Sequence, residues 1–136
     1  MSKLDNFSRY SPLLLRTGIA IIFLWFGFSQ IKSPSSWLRM IPDYALSLSP
    51  FSPNTLIYLN GSVEIIFAIL LLLGLFTRFT SFVLGVHLLH ITTILGYGPT
   101  GARDFALAIA TFAIFLKGAD EFCLDYVIFK KNSLNV

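Results

Sequence analysis

The stretch from Leu56 to Phe76, read as LIYLNGSVEIIFAILLLLGLF, constrains the fold of this chain more than any other. An apolar helix of about 20 residues, rising 1.5 Å per residue, matches a hydrocarbon core of roughly 30 Å. Each strongly apolar residue favours insertion by about 0.3–0.6 kcal/mol, whereas a central charge opposes it by about 2.5–3.5 kcal/mol. The stretch is therefore predicted to cross a membrane although it carries Glu64 near its middle, and that carboxylate needs a partner or a proton.

The composition and the other apolar runs extend this prediction to the whole chain. Only 12% of the 136 residues are charged and 55% are hydrophobic, whereas a soluble domain has about 25% charged residues. We expect one domain, an all-α membrane protein built as a four-transmembrane-helix bundle with both termini cytoplasmic. The predicted spans cover about residues 12–31, 56–76, 79–96 and 100–117. The first resembles a signal peptide but is too long and lacks a cleavage pattern, so we expect it to be retained.

The fourth span is the least obvious of the four. Its apolar run, Phe105 to Leu116, is too short to cross the core. The helix must therefore begin near Thr100 and include Arg103 and Asp104, which places this charged pair at the membrane edge rather than in a free loop.

The connections are predicted from their turn residues and aromatic residues. Residues 32–54 form the one long connection, rich in Ser and Pro, with a short surface helix around Ser35 to Met40. Its aromatic side chains suit the headgroup layer. A tight turn at Thr77 and Arg78 would make the second and third spans a hairpin, and residues 118–136 would form a cytoplasmic tail.

The basic residues predict the orientation. With both termini inside, the cytoplasmic side carries Lys3, Arg9, Arg16, Arg78, Lys117, Lys130 and Lys131. The other side carries Lys32, Arg39 and Arg103. The excess inside agrees with the positive-inside rule. Because the basic residues are scattered rather than clustered, they do not indicate nucleic-acid binding.

This topology brings ionisable residues to the outer half of the bundle. The candidate ligand-binding or structural set is Glu64, His87, His90, Arg103, Asp104, Lys32 and Asn60. Ionisable groups inside a membrane face the bundle interior, pair with one another and are functional candidates by default. The alternative is a structural network that fixes helix register. We expect Glu64 to pair with Arg103, or else to be protonated and to serve as a proton carrier.

The histidines, two arginines and the cysteine complete the set of candidate residues. His87 and His90 share a helix face; haem or copper is conceivable there, but hydrogen bonds to Glu64 or Asp104 are favoured and no metal site is predicted. Arg16 and Arg78 are predicted to anchor the inner membrane edge by reaching the headgroups. Because Cys123 is the single cysteine, the chain has no internal disulfide and no CxxC pair. Cys123 is expected to be inert, with thiol exchange with a partner as the alternative.

Short motifs in a fixed order resemble the DoxX-like family of small four-span membrane proteins. They are Arg16-Thr-Gly18, Phe26-Gly27 followed by Lys32, Glu64 leading to Leu72-Leu-Gly74-Leu-Phe-Thr-Arg78, Arg103-Asp104, and Gly118-Ala119 with Leu124-Asp125. The resemblance implies a four-helix bundle in the bacterial inner membrane. It also implies a likeness to membrane subunits of sulfur-oxidising systems that pass electrons from thiosulfate to quinone.

Two main hypotheses about function follow. In the first, the chain is a redox-associated subunit that binds quinone or a similar small molecule, working with an oxidoreductase partner and at most contributing to that partner's enzyme activity. In the second, it is a non-enzymatic assembly or interaction protein whose polar network is structural. A small transporter, which would need to form a homo-oligomer, is a weaker third.

Overall fold

The computed structural model describes residues 5–133, which form helices and short connections and contain no strand. In chain order the α-helices are α1 (Ser11–Lys32), α2 (Asp43–Leu48), α3 (Pro53–Leu73), α4 (Thr77–Leu95), α5 (Pro99–Lys117) and α6 (Leu124–Ser133). Two 3-10 helices, Asp5–Tyr10 and Pro34–Met40, precede α1 and α2. Lys3, the last three residues of the predicted tail and the side chain of Lys131 lie outside the described part.

Four helices are long and apolar enough to cross a membrane, which confirms the predicted all-α class of membrane protein. They are α3, α4, α5 and a first segment, Phe7–Lys32, in which α1 continues the preceding 3-10 helix. α5 begins at Pro99 and includes Arg103 and Asp104, as the length argument required. Large apolar side chains such as Leu14, Trp25 and Phe79 are more than 60% exposed, as expected for residues that face lipid.

The four long helices pack as two close pairs. α1 packs most closely on α3, and α4 on α5, while α3 and α4 touch much less although a short turn joins them. Gly27 and Gly61 explain the first pair, since a Cβ at either residue would lie less than 3 Å from the carbonyl oxygen of the other. Between the pairs lies an apolar core that includes Phe23, Leu71 and Leu88.

The turn between α3 and α4 lies earlier than the predicted one. α3 starts at Pro53, where the Ser52 side chain accepts a hydrogen bond from the Thr55 amide, and ends at Leu73. Gly74 stops it with φ of +68°, a left-handed conformation in which glycine has no Cβ penalty. The prediction of a turn at Thr77 and Arg78 was therefore wrong, because Thr77 already opens α4.

The predicted tail folds back onto the bundle. Asp125 at the start of α6 accepts hydrogen bonds from the amides of Phe76 and Thr77 and from the Thr77 hydroxyl. Its own amide donates to the Gly74 carbonyl. We call this the tail end of the bundle. The opposite end, where residues 33–52 cross between α1 and α3, is the loop end.

Candidate ligand site at the loop end

The Glu64 carboxylate is the centre of a hydrogen-bonded cluster between α1, α3 and α4. Its side chain is 3% exposed. Gln30 Nε2 donates to Oε2 at 2.8 Å, and Asn60 Nδ2 donates to Oε1 at 3.1 Å. His87 Nε2 lies 2.8 Å from the same Oε1. Asn60 also donates to Gln30 Oε1 at 2.8 Å, so the amides and the carboxylate form a closed ring of contacts.

The helices place these side chains for local reasons. Asn60 and Glu64 are four residues apart on α3 and so share one face. Gly61 has room only for hydrogen on the side that faces α1, since its Cβ would lie 3.0 Å from the Gln30 Cβ. The close crossing of α1 and α3 therefore carries the Gln30 amide to the Glu64 carboxylate.

His87 connects this cluster to open space. Its side chain is 27% exposed, in contrast to that of Glu64. When Glu64 is ionised, it can only accept a hydrogen bond, so His87 Nε2 must carry the hydrogen. Nδ1 is then the ring nitrogen left for a ligand, since it has no hydrogen-bond partner among the described residues.

A cavity of about 260 Å³ lies beside His87, beneath the long connection. Its polar wall consists of Gln30, Asn60, His87, His90 and Tyr44. Its apolar wall comes from α3, α4 and the connection: Trp37, Met40, Ile41, Pro42, Ala45, Leu56, Ile57, Ile91 and Ile94. A mostly apolar cavity with a few converging polar groups is the usual form of a small-molecule site.

Two aromatic residues hold the connection over the cavity. Trp37 Nε1 donates to Ser29 Oγ at 3.2 Å, and the Trp37 ring packs edge-on against Phe26. Tyr44 Oη lies 2.7 Å from His90 Nε2 on α4. α2 buries none of its own residues, so the Tyr44–His90 hydrogen bond is a principal attachment of this helix to the bundle.

Arg103 and Asp104 form a separate pair at the start of α5. Arg103 Nε lies 2.7 Å from Asp104 Oδ1, and its guanidinium stacks over the Phe26 ring at 5.2 Å. The prediction of a Glu64–Arg103 ion pair is therefore wrong. Arg103 contacts Asp104 instead, and the Glu64 carboxylate is hydrogen-bonded within its own cluster. Within the described chain neither histidine bonds to Asp104, and Lys32 lies exposed at the end of α1.

The family model for DoxX matches residues 11–97, which include α1 to α4 and every side chain of the Glu64 cluster. The chain belongs to the DoxX family. It is also 26% identical over 144 residues to an uncharacterized protein of Haemophilus influenzae, a comparison that spans 96% of this chain and 100% of that relative. No solved structure matches the chain. The matched DoxX region ends before Arg103 and Asp104 and contains the whole of the Glu64 cluster.

Arg16 departs from its prediction as a headgroup anchor. It is 2% exposed, and its Nε lies 3.1 Å from Asp120 Oδ2. Its Nη1 donates to the carbonyl oxygens of Leu71 and Leu72 at the end of α3, at 2.9 and 2.6 Å. The guanidinium turns inward because these carbonyls and a carboxylate offer it direct partners. Arg78 is exposed, and its role as an anchor stays a prediction.

Three functional candidates were missing from the sequence-based set: Gln30, Tyr44 and Asp120. Gln30 gave a usable signal, since an amide inside an apolar span needs a partner. Tyr44 and Asp120 gave none, because their partners lie 46 and 104 residues away in the chain. Across residues 5–133, no three His, Cys, Asp or Glu side chains gather into a metal site.

Proposed function

We propose that this DoxX-family membrane protein is a redox-associated subunit that binds a quinone in the cavity at the loop end. The observation that carries the proposal is the arrangement of His87, which lines the cavity while its Nε2 is held by the buried Glu64 carboxylate. A quinone ring needs an apolar slot and hydrogen-bond partners for its carbonyl oxygens. His87, Asn60 and the Tyr44–His90 pair are polar groups of the kind that could serve these oxygens.

The Glu64–His87 pair also suits the protons of quinone chemistry. Reduction of a quinone to a quinol takes up two electrons and two protons, and in this proposal an oxidoreductase partner supplies the electrons. A doubly protonated His87 would donate Nδ1–H to one carbonyl oxygen and pass that proton to it. Glu64 keeps the ring oriented through the transfer, as the carboxylate does in a catalytic triad. The second proton would come from solvent at the loop end.

The protein's two tryptophans permit a direct binding test. Trp37 lines the cavity, whereas Trp25 is 75% exposed on the outside of the bundle. We would titrate a short-chain ubiquinone into the Trp25→Phe variant in phosphatidylcholine nanodiscs. Saturable quenching of Trp37 fluorescence is expected. The matched Trp37→Phe variant, which reports only from Trp25, should show quenching that rises linearly with partitioned quinone.

A further variant tests whether the quinone binds next to His87. His87→Phe keeps an aromatic ring but removes its polar atoms, and should weaken quinone binding by about tenfold or more, equivalent to about 1.4 kcal/mol. Linear, unsaturable quenching of Trp37 in the parent variant would contradict quinone binding in this cavity.

A structural role is the second candidate, and one observation favours it. Among the described residues, no buried side-chain nitrogen or oxygen lacks a hydrogen-bond partner, so the cluster is complete without a ligand. In that case the chain would be an assembly protein, and the Glu64 cluster would only fix the positions of α1, α3 and α4. The two candidates differ in whether quinone binding requires the Glu64 charge to lie next to His87.

The orientation in the membrane belongs to the same proposal. With both termini on the cytoplasmic side of a bacterial inner membrane, the cavity would open toward the periplasm. Reporter fusions at Ser47 and Val136 test this orientation, since they should report from opposite sides. A periplasmic signal from Val136 would reverse it.

A further inference from the structure

A second cavity lies at the tail end, far from the Glu64 cluster. It has a volume of about 480 Å³ and lies between the α3–α4 turn and α6. Its walls come from Leu75, Phe76, Thr77, Arg78, Phe79, Ala119, Asp125 and Ile128. Phe76 and Phe79 are 69% and 62% exposed, and Ile128 is 50% exposed. The cavity is thus an apolar groove at the end of the membrane-spanning helices, with Arg78 among its lining residues.

Arg78, which lines this groove, has no acidic partner in the described part of the chain. The three acidic residues of the described tail are already engaged: Asp120 with Arg16, Glu121 with Arg9 at 2.9 Å, and Asp125 with backbone amides. No carboxylate among the described side chains lies within salt-bridge distance of Arg78. Its guanidinium rests against Gly118, where a Cβ would lie 2.6 Å from Nε.

The backbone conformation of Phe76 is a second, independent feature of the groove. Its φ is +49°, a left-handed conformation that is a genuine outlier for a bulky residue. Such strain persists only where the surroundings impose it, and it is concentrated at sites with a function. Here Asp125 imposes it by accepting the amide hydrogens of Phe76 and Thr77. The residue is 69% exposed, so little burial within the described chain offsets this strain.

We infer that this groove binds one anionic phospholipid of the surrounding bilayer. The phosphate would lie against the Arg78 guanidinium, and the first carbons of an acyl chain would cover Phe76, Phe79 and Ile128. A lipid fits better than a peptide because the groove lies at the ends of two spans, where Phe79 already faces lipid. Basic residues at a membrane edge attract anionic lipid headgroups electrostatically.

Thermal unfolding of the delipidated protein in a neutral detergent tests this site. Phosphatidylglycerol should raise the midpoint saturably by a few degrees, because a ligand that binds only the folded state stabilises it. Phosphatidylcholine, which has the same chains but no net charge, should give a smaller rise. Equal rises with the two lipids would overturn the inference, and so would an equal rise with inorganic phosphate.

Variants test whether the lipid-induced rise in the unfolding midpoint arises at the groove. Arg78→Gln should abolish the difference between the two lipids, Arg78→Lys should keep part of it, and Arg39→Gln, at an exposed residue of the loop end, should keep all of it. Phe76→Gly should fold stably without lipid, since glycine relieves the strain, yet should lose most of the phosphatidylglycerol increment. Full increments in both Arg78→Gln and Phe76→Gly would show that anionic lipid binds elsewhere.

Discussion

Glu64 Oε1 makes hydrogen bonds to two helices at once: it lies 2.8 Å from His87 Nε2 on α4 and accepts from Asn60 Nδ2 on α3 at 3.1 Å. The other carboxylate oxygen receives the Gln30 amide. Gln30 and Asn60 each donate to a different oxygen of Glu64, so the site requires an acceptor at both oxygens. A carboxylate meets this requirement and an amide does not.

The first prediction follows from that requirement. In Glu64→Gln, one carboxylate oxygen is replaced by an NH₂ group. At the Oε2 position this group faces the Gln30 NH₂. If the Gln30 amide turns to relieve this clash, its NH₂ then meets the Asn60 NH₂. We therefore expect a loss of about 1–3 kcal/mol in the free energy of unfolding, as for an unmade buried hydrogen bond. Thermal unfolding followed by circular dichroism would measure it.

Exchanging the side chains of Gln30 and Glu64 separates the effect of the cluster on stability from its effect on quinone binding. In the double variant Gln30→Glu with Glu64→Gln, the new carboxylate on α1 accepts from Asn60 and from the new amide on α3. The oxygen of that new amide in turn accepts from His87 and Asn60. Every hydrogen bond is restored, so stability should return to within about 1 kcal/mol of the wild type. The charge, however, has moved away from His87. Normal stability with weakened quinone binding would support the redox proposal, whereas normal stability with normal quinone binding would show that binding does not need the charge next to His87.

The parts of the fold that local sequence determines were predictable. Four spans follow from the length of the apolar runs, and the inclusion of Arg103 and Asp104 in α5 follows from helix length alone. Asn60 and Glu64 share a face by spacing. The turn was misplaced because Gly74 ends α3 through its left-handed conformation, while Phe76 adopts a conformation for which its side chain gives no signal.

The pairing of charges was not predictable, because it depends on which helices touch. The sequence suggested a Glu64–Arg103 pair since both residues lie near the same depth. In the structure, α3 pairs with α1 and α5 with α4, so Gln30 reaches Glu64 first. Arg16 resembled a headgroup anchor for a similar reason. Its acceptors, the α3 carbonyls and Asp120, become neighbours only when the tail folds back.

The Arg16 site leads to the second prediction. Removing this guanidinium in Arg16→Met would leave the Asp120 carboxylate buried and the carbonyls of Leu71 and Leu72 without their donor. A loss of about 3–5 kcal/mol is expected, the usual cost of breaking a buried pair by deleting one partner. Asp120→Asn should cost less, because Arg16 keeps its two carbonyl contacts. Chemical unfolding in detergent would rank the two variants, and the reverse ranking would contradict this account of the site.

The glycine contact between α1 and α3 gives the third prediction. Alanine at Gly27 would place its Cβ 2.6 Å from a side-chain carbon of Ile65 and 2.8 Å from the Gly61 oxygen. Because backbone cannot yield cheaply, Gly27→Ala should destabilise the bundle by about 1–3 kcal/mol. Gly18 on the same helix is the matched control, since nothing lies within 4 Å of its Cβ position. Gly18→Ala should be neutral or stabilising by up to about 1 kcal/mol.

The fourth prediction concerns the attachment of α2. Tyr44→Phe removes the hydrogen bond to His90 and keeps the ring, so the connection should open more readily over the cavity. A net loss of about 1 kcal/mol corresponds to roughly a fivefold change in rate. We expect quinone to dissociate about fivefold faster, as followed by recovery of Trp37 fluorescence after dilution. Tyr97→Phe, at a fully exposed residue, should leave the rate unchanged. Equal rates in the two variants would show that the Tyr44–His90 hydrogen bond does not hold α2 over the cavity.

The last prediction is a pH dependence at Cys123. Burial raises the pKa of this thiol above its ordinary value of 9.0, although hydrogen bonds from the Thr77 hydroxyl and the Asp120 amide partly oppose the shift. The folded protein therefore holds the thiol proton more tightly than the unfolded chain does. The resulting stability is fully present below pH 9.0 and is lost as the pH rises through the folded pKa, with a slope of at most about 1.4 kcal/mol per pH unit. Other groups titrate in this range, so the measurement is the difference in free energy of unfolding between wild type and Cys123→Ala as a function of pH.

The wild type should lose stability relative to the variant above about pH 9. Parallel curves for the two proteins would mean that folding does not shift the pKa of Cys123.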